Sequence, residues 1–330
     1  MPVDSVVLGK PSALSERSIP RCAEICRALS EPLAGTAPAA ARGWLLVEHP
    51  GPWPAFGLPA DLPVAVTHFA ERALQYGVRT QLIRRPDRSE RRPKRLRVLI
   101  AGGVPQARWI EERADTCDER ADTLGAALEA LDPTRFVDGP SPRFGTPAAP
   151  TLLVCTHGRR EVCCAAYGRP VARALAERFG DAVWETTHVG GDRFAASLVA
   201  LPSGAYFGRL DPASALRVAE AALEGRIEPD RFRGTAGLSP SAQAAECFLR
   251  RALGQTRADA VIHLGADRRD GVRLERFSAA GLGTRTVTLR EREARQPRLT
   301  SCGQGTVDCP TVYELVDITA NVTADITSGG

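Results

Sequence analysis

Two short stretches, CTHGRREVCC (Cys155 to Cys164) and THVGGDRF (Thr187 to Phe194), gather three of the chain's nine cysteines and two of its five histidines. Thiolates and imidazoles are soft or borderline donors, so this gathering points to a transition metal or an iron-sulfur centre and away from hydrolytic chemistry. Cys155 closes the apolar strand Thr151 to Val154, and Cys164 follows at the start of a helix, where the helix dipole favours a thiolate. His188 likewise ends a strand, and Gly190-Gly191 permit a tight fold that returns Asp192 to the same side. Two strand-end loops of one sheet thus offer two potential ligands each.

The elements that must position these loops follow from periodicity and punctuation. In the second half the sequence predicts a strand at 151–154, a helix from Cys164 to Phe179 with Val171, Leu175 and Phe179 on one face and Pro170 in its first turns, and a strand at 182–187. A strand over the apolar run Phe194 to Leu201 and another at 205–210 follow, joined by a tight Pro202-Ser203-Gly204 hairpin. Next comes a helix with Asp211 as N-cap, Pro212 first and Gly225 past its end. The first half reads in the same order, with strands at 44–48, 78–83, 95–101 and 107–111 and helices at 62–76 and 121–131. LLVEHPG (Leu45 to Gly51) sits where LLVCTHG (Leu152 to Gly158) sits later, which hints at a duplication in which Glu48 stands for Cys155. Asp132 to Pro150, rich in proline, reads as a linker, so two domains are expected, 1–149 and 150–330 with a core at 151–254. Ser239 and Pro240 open a further helix to Gly254, and the tail reads as β-rich, with strands at 261–264, 272–277, 285–289 and 312–318 and mobile last residues from Asp325.

Composition sets the limits. A length of 330 residues allows two cores, 43% hydrophobic content is ordinary, and no apolar run of about 18 residues or signal-peptide pattern exists, so a cytoplasmic protein without a membrane segment is expected. Nine cysteines in a reducing compartment are then ligands, redox thiols or small core residues. The net charge of +4 is modest, and all basic residues but Lys10 and Lys94 are arginine. The basic stretch Arg84 to Arg97 lacks interleaved aromatics, which argues against nucleic acid and suits a solvated loop or a surface that steers an acidic redox partner.

The pattern C-T-H-G-R-x-x-x-C-C, then G-R-P-V, W-E-x-x-H-V-G-G-D-R-F-A and L-P-x-G-x-Y-F-G, together with EPLAGTA and WLLVEHPGPW further upstream, resembles the sucrase/ferredoxin-like family. The resemblance implies an α/β fold: a thioredoxin-like ferredoxin domain preceded by a related or degenerate α/β domain. It also implies a 2Fe-2S cluster on a C-x8-C and H-x3-H set. Carried across, Cys155, Cys164 and His188 match, and Asp192 stands where the second histidine is expected. Cys163 is the substitute, but adjacent side chains usually diverge, so Asp192 is placed ahead of it. Imidazole ligation raises a cluster's potential, toward roughly −150 to +300 mV in Rieske centres against about −400 mV in plant-type ferredoxins. A one-electron carrier or sensor with a redox protein partner, rather than an enzyme, is the expectation. No flavin, nicotinamide or Walker motif is present, so a separate reductase must supply electrons, and no carboxylate pair supports a glycosidase. The alternatives are a metal-free thioredoxin-like thiol protein and a zinc-binding interaction module.

The remaining candidates have plainer readings. His157 reads equally as a metal ligand and as a loop hydrogen-bonding group beside the ligands, and Arg159, Arg160 and Arg193 read as surface arginines by default, with donation to cluster sulfides or a docking face as the alternative. Cys22, Cys26, Cys117 and Cys247 are read as small core or surface residues. Cys302 and Cys309, flanking GQGTVD, could close a small loop or pair on zinc, without a second ligand pair in sequence.

Overall fold

The computed structural model describes residues 21–87, 95–106, 108–116, 121–137, 139–302, 305 and 307–320. Cys117, the middle of the basic stretch and the residues from Asp325 lie outside these.

The fold is mixed α/β. After helix α1 (Cys22–Ala28), the first half runs β1 (Gly43–Glu48), α2 (Val64–Leu74), β2 (Val78–Arg84), β3 (Arg95–Gly102), β4 (Trp109–Thr116), α3 (Ala121–Ala130) and a short β5 (Thr146–Pro147). The second half runs β6 (Thr151–Cys155), α4 (Val162–Phe179), β7 (Val183–Thr186), β8 (Leu198–Leu201), β9 (Ala205–Phe207), α5 (Pro212–Leu223) and β10 (Phe232–Thr235). Helix α6 (Pro240–Leu253) leads to a four-stranded antiparallel sheet of β11 (Val261–Arg269), β12 (Val272–Ala279), β13 (Gly283–Glu293) and, after the short pair β14 (Arg298–Leu299) and β15 (Val307–Asp308), β16 (Thr311–Ala320).

Within each half the connections repeat. Strand β1 pairs in parallel with β2 and antiparallel with β3, which pairs with β4; β6 pairs in parallel with β7 and antiparallel with β8, which pairs with β9. The thioredoxin-like order is thus present twice, and the repeat hinted at by LLVEHPG and LLVCTHG is a repeat of topology. The halves join where β2 and β7 pair antiparallel through Ile83 with Thr186 and Arg84 with Glu185, giving one ten-stranded sheet.

Alternation along the strands explains the layers. Leu45 and Val47 face α2 and α3, Leu152 and Val154 face α4 and α5, and between them Trp44, Leu46, Leu153, Cys155, Trp184, Val199 and Tyr206 share one inner core built by both halves. Strands covered on both faces read as continuous apolar runs, and β1 and β6 are buried at every position.

The helix starts follow the sequence signals. Asp211 accepts from the Ser214 amide with Pro212 next, and Ser239 accepts from the Ala242 amide. Three expectations need correction. The run from Phe194 is not one strand: Asp192–Phe194 is a 3-10 turn and β8 begins only at Leu198, because buried loop residues are as apolar as strand residues. Helix α4 starts at Val162, so Pro170 lies inside it rather than in its first turns. The stretch read as linker contains a 3-10 turn at Pro133–Phe136 and β5, which extends the sheet at β4. Among the described residues no helix is long and apolar enough to cross a membrane.

Candidate metal centre

Strands β6 and β7 are parallel neighbours, so their carboxyl ends lie side by side and the two ligand-rich loops leave from the same edge. Only residues 156–161 separate β6 from α4, and this short loop folds the helix's first turn back over the strand end. Gly168 makes that approach possible: a Cβ there would lie 2.0 Å from the Cys155 carbonyl oxygen, so no larger residue lets α4 sit so close. Across the edge, Gly190 and Gly191 hold φ values of 95° and 80°, the left-handed region that glycine enters freely, and turn the chain so that Asp192 returns toward His188.

Cys155 Sγ, Cys164 Sγ and a ring nitrogen of His188 consequently lie within 4.8 Å of one another. Cys164 Sγ is 3.8 Å from His188 Nδ1. Asp192 stands on the far side of the ring, with Oδ1 3.0 Å from Nε2, a charge contact rather than an aligned hydrogen bond. Both cysteines are buried, whereas the His188 side chain keeps 21% of its surface exposed and is the group through which the site meets solvent.

The electrostatics separate the donors. The hydrogen bond from Cys164 and the neighbouring His188 hold the Cys155 thiol well below its usual range, against burial that alone would raise it. Cys164, the donor of that bond, is pushed up. Burial alone would lower His188, but the Asp192 carboxylate and the Cys155 thiolate outweigh it and raise the imidazole to about 9. The site thus favours a charged Cys155 sulfur beside a protonated His188 backed by the Asp192 carboxylate.

The loops are fastened from outside. His157 does not join the donors: its Nδ1 accepts from the His188 amide at 3.3 Å while Nε2 meets the Pro54 carbonyl at 2.9 Å, so it ties the two loops to the Pro50–Pro54 segment. Trp53 stacks edge-on against His157 with ring centroids 5.9 Å apart. Arg79 and Gln81 of β2 both donate to the His188 carbonyl at 3.1 Å.

Sequence reading missed Arg233, which is 1% exposed and donates to the Gly190 carbonyl at 3.0 Å and to the Thr36 carbonyl. Desolvation lowers its guanidinium to about 10. Its strand, β10, reads Phe-Arg-Gly-Thr and is buried at every position, but a single apolar residue gives the sequence no signal of that burial. Arg193, read as a surface arginine, instead pairs with the buried Glu31 at 2.7 Å and anchors the turn after Asp192.

Cys163 turns the other way. Its sulfur lies 3.6 Å from Cys22 Sγ and 3.8 Å from Cys302 Sγ, in a separate pocket with Ala23 and Ala195. Adjacent positions in the first turn of α4 thus feed two different places. Cys26 and Cys247 are buried singly, and Cys309 is not part of either group among the described residues.

The model of the family described as Sucrase/ferredoxin-like matches residues 33–234, more than half of the chain, and the protein belongs to that family. No curated protein and no solved structure matches the chain.

Proposed function

We propose that this sucrase/ferredoxin-like protein holds a 2Fe-2S cluster on Cys155, Cys164 and His188 and serves in one-electron transfer or redox sensing. The observation that carries the reading is the convergence of two buried sulfurs and one partly exposed imidazole at adjoining strand ends. The donors fit the group: thiolate and imidazole are the ligands such clusters accept, and a bound cluster supplies one-electron chemistry. Neither candidate for a fourth donor joins the three: the Asp192 carboxylate lies against the Nε2 side of the His188 ring, away from the sulfurs, and Cys163 is engaged elsewhere.

The chain's own residues then have distinct tasks. Asp192 holds a proton on His188 Nε2 and so presents Nδ1 to the sulfurs, the carboxylate-histidine arrangement common around bound metals. Trp184, Val189, Val199 and Tyr206 exclude water from the sulfur side. His188 remains the exposed edge toward a redox protein partner. Beside His157, which receives the His188 amide, a cavity of about 300 Å³ is bordered by Arg84, Arg159 and Arg169, a surface that suits an acidic partner in a cytoplasmic setting.

A single zinc ion is the second reading, favoured because three donor atoms gather among the described residues and the carboxylate stands behind the histidine, as in sites with three protein ligands and one open position. Anaerobic purification followed by a visible spectrum and iron, sulfide and zinc analysis decides between them. The cluster reading expects a red-brown protein with about two irons and two sulfides per chain. Zinc at this site without iron would establish the second reading. A colourless protein that takes up no metal after anaerobic reconstitution would leave the Cys155 and Cys164 thiols as the functional pair.

A further inference from the structure

We propose that Cys22, Cys163 and Cys302 form a second metal site, for one thiophilic d10 cation, zinc(II) or copper(I), separate from the centre at Cys155. The three residues lie on segments remote in sequence: the start of α1, the first turn of α4, and the loop after β14. Their sulfurs nevertheless lie within 4.8 Å of one another. Cys22 and Cys302 fall outside residues 33–234, the part of the chain that the family model matches.

The sulfur spacing matches that of ligands around one cation. A disulfide would bring two sulfurs to about 2.05 Å, and none is formed. Four sulfurs placed tetrahedrally at about 2.3 Å from one zinc ion stand about 3.8 Å apart along each edge. The observed separations are 3.6 Å for Cys22 to Cys163 and 3.8 Å for Cys163 to Cys302. Soft thiolates select zinc and copper(I) over hard cations, and three of them leave a fourth position for water beside Cys302, the partly exposed member.

The surroundings support the sulfurs as ligands. The Cys22 backbone amide donates to Cys302 Sγ at 3.0 Å, a contact that stabilises a sulfur carrying negative charge. Glu161, buried two residues before Cys163, receives the Cys302 amide at 3.2 Å and the Ser301 hydroxyl, so the residue that opens α4 also fixes the loop bearing the third sulfur. Such outer contacts set the orientation of first ligands in metal sites. Binding would expel the thiol protons to solvent and tie the amino-terminal helix and the C-terminal loop to the helix that carries Cys164.

The test uses the full-length chain. Wild type, Cys22→Ser with Cys302→Ser, and Cys155→Ser are each incubated with zinc or copper(I), desalted, and analysed for zinc, copper and iron together with the visible spectrum. The inference expects about one zinc or copper per wild-type chain, lost in the double variant with iron and spectrum unchanged, and retained in Cys155→Ser. The element retained identifies the cation. Alkylation of the wild type adds a readout independent of variant folding, because bound metal should protect Cys22, Cys163 and Cys302 until a chelator is added. Absence of both metals from wild type, loss of iron together with zinc in the double variant, or a Cys22 to Cys163 disulfide found by mass spectrometry would each overturn the proposal. Failure of iron to bind at Cys155 would touch only the cluster reading, since the zinc or copper count is read separately.

Discussion

Glu48 and Cys155 end equivalent strands in two halves of the same topology, yet only one of them sits among metal donors. The Glu48 carboxylate lies 3.9 Å from Arg97 and opens onto a charged cavity of about 750 Å³. Cys155 is 1% exposed and faces Cys164 and His188. The loops explain the divergence more than the single substitution does. In the second half residues 156–161 bring α4 directly over the strand end, whereas in the first half residues 49–63 delay α2 and carry no cysteine. Those longer residues are not idle, because Trp53 and Pro54 close over His157. One copy supplies the donors and the other supplies part of their cover.

The sharpest way to break this comparison is to remove the soft donor where it exists. Cys155→Ser should abolish bound iron and visible colour entirely while leaving the circular dichroism of the folded chain intact. Retained colour would show that the halves do not differ in the way described. Glu48→Cys, the reciprocal change, should gain no iron, since among the described residues position 48 belongs to no cluster of three potential metal donors.

The next largest effect is expected from pH in the metal-free protein. Because His188 is raised from 6.5 to about 9, its contribution is fully present below pH 6.5 and is lost as pH rises toward 9. The loss amounts to at most about 3 kcal/mol, and less to the extent that its exposed edge is screened by water. Asp192→Asn should flatten much of that slope in urea titrations at several pH values, and an unchanged slope would separate Asp192 from the His188 titration.

Gly168→Ala tests whether close approach of α4 is what makes the second half a binding half. A methyl group at 2.0 Å from the Cys155 carbonyl must displace the helix. A cost of about 1–3 kcal/mol is expected, with a fall in metal occupancy. Thermal unfolding together with iron content checks it: a variant as stable and as fully loaded as wild type would show that the approach is not needed. Gly125→Ala in α3, where the nearest atom would be 3.6 Å away, serves as the tolerant control.

The smallest effect should come from the arginine-bordered cavity beside His157. Reversing the exposed Arg159 and Arg169 to glutamate should slow electron exchange with an acidic partner by about tenfold at low salt and by little at high salt. Stopped-flow rates at two ionic strengths read this directly. Equal slowing at both would point to damage at the site rather than to lost steering.

Much of this was legible in the residues. The caps at Asp211 and Ser239, the strand-end placement of Cys155 and the turn at Gly190-Gly191 follow from local rules, because each depends on neighbours within a few positions. The expectation that Cys163 and Cys164 diverge is local as well. What the sequence concealed is nonlocal. Cys22 and Cys302 reach Cys163 across 141 and 139 residues, and Arg233 reaches Gly190 from another strand. Periodicity carries no information about such contacts. The run from Phe194 to Leu201 misled for a different reason, since its first residues are buried by the N-terminal segment, with Phe194 packed against Cys26 and Leu33, rather than by strand pairing.

The clamp formed by Arg233 has a bearing on how the protein is made. A ribosome delivers the chain from its amino end, so Cys155, Cys164 and His188 emerge before Arg233 exists to fasten Gly190 to Thr36, and well before Cys302 closes over Cys163. Trp53, Arg79 and Gln81 are already made by then, but the turn at Gly190 stays unfastened until Arg233 follows, so the finished fold closes last from its C-terminal side.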